Sequence, residues 1–152
     1  MKIRQKSEFE FIVIMAALMS LVSLAIDALL PAMTNIGDTI GISDATNNQL
    51  LITMIFLGLG FGQLISGPLS DSYGRKPIIY IGFIVFAFAS LICVFSTSLE
   101  MMIVGRIAQG IGLSAPRTIS IAMIRDRFSG NYMAKVMSFV VAIFILVPVV
   151  AP

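Results

Sequence analysis

Charge is missing from long stretches of this chain and crowded into short ones between them. Gln49 to Ser70, Pro77 to Leu99 and Val136 to Pro152 carry no charged residue, and Phe11 to Met33 carries only Asp27. A helix rises 1.5 Å per residue, so about 20 apolar residues cross the hydrocarbon core of a bilayer. The pattern therefore predicts an all-α integral membrane protein with about five transmembrane helices, near residues 11–33, 47–70, 77–97, 99–124 and 134–152. Residues 1–10, with Lys2, Arg4, Lys6, Glu8 and Glu10, form a charged lead. Phe11 to Met33 is too long for the apolar core of a signal peptide and reads as an uncleaved first span.

Local signals mark the ends. Thr46-x-x-Gln49 and Thr97-Ser98-Leu99-Glu100 are capping boxes for the second and fourth spans. Pro77 suits the first turn of the third, where its missing N–H has no intrahelical partner, and Ser129-Gly130-Asn131 is a turn. Gly58/Gly62, Gly62/Ser66 and Gly110/Ser114 are four apart, which gives faces where backbones can approach closely in lipid and makes spans two and four interior helices. Span three has Ser90, Cys93 and Ser96 as its polar groups and faces lipid over much of its surface.

Composition agrees, with 58% hydrophobic residues and 12% charged. A net charge of +2 without a basic face or tail argues for no nucleic-acid partner. Cys93 is the single cysteine and histidine is absent, so no intramolecular disulfide or thiol–imidazole metal cluster can form and proton chemistry falls to carboxylates. With no nucleophile–base pair and no metal or cofactor motif, an enzyme is not expected. Lys2, Arg4, Lys6, Arg75, Lys76, Arg125, Arg127 and Lys135 all fall on one side of the five-span arrangement, which makes that side, and the N-terminus, cytoplasmic.

Polar residues inside the spans carry the candidate chemistry. Ser20, Ser23 and Asp27 share a stripe on span one. Arg106, Gln109, Leu113, Arg117 and Ser120 share a face of span four, because eleven residues bring a helix back to within about 20°. An arginine at membrane depth costs about 2.5–3.5 kcal/mol on insertion scales, so it must face protein or water. Counting from the outer ends, Asp27 lies about 8 Å deep and Arg106 about 10 Å deep. They are thus placed to neutralise one another or to share water in a polar cavity, with Gln109 as a polar contact beside Arg106. The alternative role for Asp27 is to brace the end of span one beside Pro31.

Two stretches carry a family resemblance. Gly67, Leu69, Asp71, Gly74, Arg75 and Lys76, between spans two and three, follow the pattern Gly-x-Leu-x-Asp-Arg-x-Gly-Arg-Arg/Lys, departing at Ser72 where that pattern has arginine. Arg106-x-x-Gln109-Gly110-x-Gly112 follows a span-four pattern Arg-x-x-Gln-Gly-x-Gly. Both resemble the major facilitator superfamily, and the second is associated there with drug/proton antiporters. Ala25 to Ala32, Ala122 to Asp126 and Phe128 to Ser138 resemble its bicyclomycin-resistance-like, twelve-span branch. Pro148 to Pro152 resembles the start of the span-five antiporter motif, with Ala151 in place of glycine.

The resemblance implies the N-terminal helical half of a major facilitator fold, with the second half absent from this chain. It implies proton-coupled efflux of drugs or small organic molecules across the cytoplasmic (inner) membrane by alternating access. The implied partners are a small-molecule substrate, protons, the bilayer and the missing C-terminal half, with no cofactor. Asp27 and Arg106 become coupling groups, and the Gly67 to Lys76 segment becomes the conformational loop between spans two and three. Asp126 joins Asp71 and Arg75 in a cytoplasmic charge cluster in which Arg75 pairs with Asp126. Gly110, Gly112 and Pro152 support the helices. The alternatives are an uptake carrier for a sugar or metabolite and a truncated membrane fragment without transport.

Overall fold

The computed structural model describes the backbone of residues 2–27 and 45–150 and the side chains of residues 8–26 and 49–147. Five helices account for nearly all of it: α1 (Lys2–Asp27), α2 (Ala45–Tyr73), α3 (Arg75–Val94), α4 (Leu99–Arg127) and α5 (Gly130–Val150). No strand occurs among the described residues, so the all-α membrane architecture expected from the charge-free runs is the one adopted. Among those residues Glu8–Ile26, Gln49–Tyr73, Arg75–Val94 and Gly130–Val147 are long and apolar enough to cross a bilayer. At 29 residues α4 is long enough too, about 44 Å. Arg106, Gln109 and Arg117 along its length set it apart as the polar helix among four apolar ones.

Helix ends differ from the sequence reading in physically instructive ways. The ten-residue connection expected between spans two and three is one residue, Gly74, at φ +95°. Polar residues at the end of the apolar run still hold helical geometry: Gly74 N–H donates to the Ser70 carbonyl at 3.1 Å, and the Ser72 hydroxyl donates to the Pro68 carbonyl at 3.1 Å. Gly67 and Pro68 lie within α2 and make no turn. At the start of α4 the cap is Ser98, one residue later than the Thr97 box predicts. Met101 N–H donates to Ser98 Oγ at 3.3 Å and Met102 N–H to the Ser98 carbonyl at 3.1 Å. The turn into α5 is Phe128-Ser129, and Gly130, at φ +61°, already opens the helix. The Thr46 side chain lies outside the described residues.

The chain forms two compact units, one holding α1, α5 and α4 from Ser120 onward, the other holding α2, α3 and α4 up to Ile119. In the first, Met15, Ala16 and Met19 of α1 pack with Ile124, Phe128, Val136 and Val140 in a buried apolar core. Phe128 meets Phe11 and Tyr132 edge-on, with ring centroids 6.0 and 5.2 Å apart. The Arg127 guanidinium lies 4.6 Å from the centre of the Phe11 ring, a cation–π contact that suits an interfacial end.

In the second unit α4 is held on two faces. Toward α2, a Cβ on Gly110 would strike the Ile55 carbonyl oxygen and lie 2.7 Å from Leu59 N, and one on Gly62 would lie 2.5 Å from Ser114 Oγ. Toward α3, a Cβ on Gly112 would lie 2.6 Å from Phe86 N. The spaced small residues thus bring backbones into contact, as lipid-embedded helices without a hydrophobic driving force require. On α3 only Ile78, Gly82, Ala89 and Cys93 are buried, one stripe of a helix otherwise half-buried or exposed. Yet the polar Ser90 beside that stripe turns toward α4.

Candidate functional site

Arg106 is 6% exposed and Gln109 is 8% exposed. Three residues apart on α4, their side chains project together, and Arg106 Nη1 donates to Gln109 Oε1 at 2.8 Å. Gln109 Nε2 donates in turn to Ser90 Oγ of α3 at 2.8 Å, and that hydroxyl donates to the Phe86 carbonyl at 2.8 Å. A buried cation is thereby tied through two side chains to the backbone of the neighbouring helix. Arg106 Nε is buried without a hydrogen-bond partner. A buried donor left unpaired costs about 1–3 kcal/mol, so this N–H is the feature of the network that calls for a functional reason. A guanidinium stays protonated in proteins, so the group supplies a fixed charge and directed donors rather than a titrating site.

Ser90 was legible as polar but not as a partner of Gln109. The signal was its place near the middle of an otherwise apolar span, which could not say which helix lay opposite.

At the α2–α3 turn, Arg75 reaches back across Gly74. Its Nη1 lies 2.6 Å from Asp71 Oδ1 and donates to Ser70 Oγ at 2.8 Å, and the Ser70 hydroxyl donates to the Gly67 carbonyl at 2.8 Å. Ser70, 2% exposed and given no role from sequence, links the arginine to the helix. Lys76 and Leu69 are exposed. The structure thus brings Gly67, Asp71, Gly74 and Arg75 together. Asp126 lies exposed in the last turn of α4.

Gly110 and Gly112 are the backbone contact points of α4 with α2 and α3. On α1, Ser20 donates to the Ala16 carbonyl at 2.8 Å and Ser23 is buried. Asp27 closes the helix, but its side chain lies outside the described residues, as does Pro152. No cluster of His, Cys, Asp and Glu able to hold a metal ion occurs among the described residues.

Comparison with known proteins gives a consistent result. A family model described as Major Facilitator Superfamily matches residues 14–152. A bicyclomycin resistance protein homolog of Haemophilus influenzae is 38% identical over 149 residues, 98% of this chain and 37% of that protein. An uncharacterized MFS-type transporter of Bacillus subtilis is 37% identical over 129 residues, 85% of this chain and 32% of that one. A multidrug resistance protein of Klebsiella pneumoniae is 31% identical over 142 residues, 93% of this chain and 36% of that one. The chain spans about a third of the length of these relatives.

Proposed function

The chain belongs to the Major Facilitator Superfamily, a family of multi-pass membrane transporters, and on that footing we propose that it serves proton-coupled export of drugs or other small organic molecules across the cytoplasmic membrane. The observation that carries the reading is the buried Arg106–Gln109–Ser90 network. A charge kept in a membrane helix at a cost of several kcal/mol, with its Nε–H buried and unpaired, marks a transport pathway rather than a packing interface. Export, rather than uptake, draws on the names of the bicyclomycin-resistance and multidrug-resistance relatives.

In this reading Arg106 and Gln109 present fixed polar groups to the passing molecule. Asp27, the one acid between Phe11 and Met33, carries the exchangeable proton, since no histidine is available. The chain forms one wall of the pathway, and alternating access needs a second helical bundle to rock against it. That bundle, the substrate, protons and the bilayer are the partners. The Gly67 to Lys76 segment, with Gly74 as its pivot and the Asp71–Arg75–Ser70 bonds as its latch, is where the cytoplasmic ends engage during that motion.

Inverted membrane vesicles from cells expressing the protein test this. With the interior acidified, bicyclomycin or a cationic dye should accumulate and drain the pH gradient, and both should cease in Asp27→Asn. Accumulation in right-side-out vesicles under an inward proton gradient, with none in inverted ones, would establish an uptake carrier instead.

A further inference from the structure

We infer that Ser90 is a positioning residue of this pathway: its hydroxyl selects one of the two orientations of the Gln109 amide and thereby aims the Arg106 guanidinium. The inference rests on the role proposed above for Arg106 and Gln109. A serine hydroxyl has one proton to give, and Ser90 gives it to the Phe86 carbonyl of its own helix at 2.8 Å. Toward α4 it can therefore only accept. Gln109 must turn its amide nitrogen to Ser90, which leaves the amide oxygen facing Arg106 Nη1, as found. The flipped amide would set NH₂ against guanidinium, donor against donor, and would face its oxygen toward a hydroxyl whose proton is already committed. Both bonds would be lost at side chains with little access to water, Arg106 and Gln109 being buried and Ser90 half-buried.

The spacing that enforces this is built into the helices. Gly105 of α4 lies where a Cβ would come within 2.6 Å of the Cys93 sulfur, and Gly112 lies where one would come within 2.6 Å of Phe86 N. Ser90 sits between these close contacts in sequence, so the gap it bridges is held from both sides. Its bond to the fourth residue back is ordinary for a membrane-helix serine. Ser20 makes the same bond to Ala16, and Thr53 to Gln49. Ser90 differs in accepting a second bond from another helix, onto a chain that ends at an arginine. With Nη1 fixed, the direction of the unpartnered Nε–H is fixed as well.

The test combines transport in vesicles with ¹⁵N-arginine NMR of the protein in nanodiscs, using Ser90→Ala, Ser90→Thr, Gln109→Leu and the Ser90→Ala/Gln109→Leu double variant. Ser90→Ala should lower transport on the order of tenfold, the scale of one buried donor left unpaired. Ser90→Thr, which keeps the hydroxyl, should recover it to within about twofold. In the Gln109→Leu background Ser90→Ala should add nothing, because the link it acts through is gone. In the spectra, rotation of the Arg106 Cζ–Nη1 bond should be slow in wild type and Ser90→Thr and fast in Ser90→Ala, a change that altered packing alone would not produce.

Should Ser90→Ala fail to reach the membrane, Ser90→Cys, of similar size with a weak acceptor, should show the same loss in milder form. Independent, multiplying losses from Ser90→Ala and Gln109→Leu, or unchanged Arg106 rotation in Ser90→Ala, would overturn the inference. Full transport by both Gln109→Leu and Arg106→Lys would instead overturn the proposed site itself.

Discussion

Gly67 and Gly74 belong to one signature and hold their places for different reasons. Gly74 adopts φ +95° and ψ 156°, a region open essentially to glycine alone, where a side chain costs about 1–3 kcal/mol. Gly67 is helical, with open space where a Cβ would stand, and a helical Gly→Ala change gains about 0.5–1 kcal/mol. The single cysteine, Cys93, is buried, so a thiol-reactive dye reports unfolding directly. In detergent, Gly74→Ala should lower the temperature at which the dye reacts, and Gly67→Ala should leave it equal or higher. The Asp71–Arg75 pair is partly exposed, Asp71 at 64%, so Asp71→Asn should change stability by less than about 1 kcal/mol. If the turn acts in transport, that variant should lose activity while melting as the wild type does. Arg106→Lys keeps the charge but not the planar fork that meets Gln109. Transport should fall at least about tenfold while the helices stay folded by circular dichroism.

At the scale of the helices, Gly110 and Gly60 form the informative pair. A Cβ on Gly110 runs into the backbone of α2, which cannot swing aside as a side chain can, whereas one on Gly60 meets nothing within 4 Å. Gly110→Ala should push α2 and α4 apart and cost about 1–3 kcal/mol as overpacking. Gly60→Ala should be neutral or stabilising, and the same thiol melt compares them. The sequence announced this packing because four-residue spacing of small residues is a purely local signal. Helix existence was legible for the same reason, through runs without charge. Helix ends were not: the stretch from Gly67 to Tyr73 looks like a loop by glycine, proline and charge, yet the Ser72 hydroxyl on the Pro68 carbonyl and Gly74 N–H on the Ser70 carbonyl carry α2 to within one residue of α3. The Ser90–Gln109 bond was hidden for a different reason. It joins residues nineteen apart on two helices, and only the crossing set by Gly105 and Gly112 decides which α3 side chain faces which α4 side chain.

On the scale of the whole molecule, what needs explaining is an outside that would be unstable in water. On α3, Tyr80, Ile81, Ile84, Phe88, Leu91 and Val94 are all exposed, and contiguous apolar surface of this kind belongs against lipid or another protein surface. Once the helices cross a bilayer, the cations fix which way they point. Of the ten Lys and Arg residues, only Arg106 and Arg117 lie well inside a helix. The rest sit at the start of α1, the α2–α3 turn, the end of α4 and the first turns of α5. If successive helices cross in alternate directions, all of these ends share one side, and the positive-inside bias makes it cytoplasmic. The Thr97 connection between α3 and α4 then faces outward. In a Cys93→Ala background, which removes the native thiol, Ser72→Cys in the last turn of α2 and Thr97→Cys in the α3–α4 connection place single reactive groups at exposed positions. A membrane-impermeant maleimide should label Thr97→Cys in intact cells and Ser72→Cys only after permeabilisation. The reverse pattern would invert the orientation. Labelling of both in intact cells would show that α3 does not cross the membrane, whatever its length and composition.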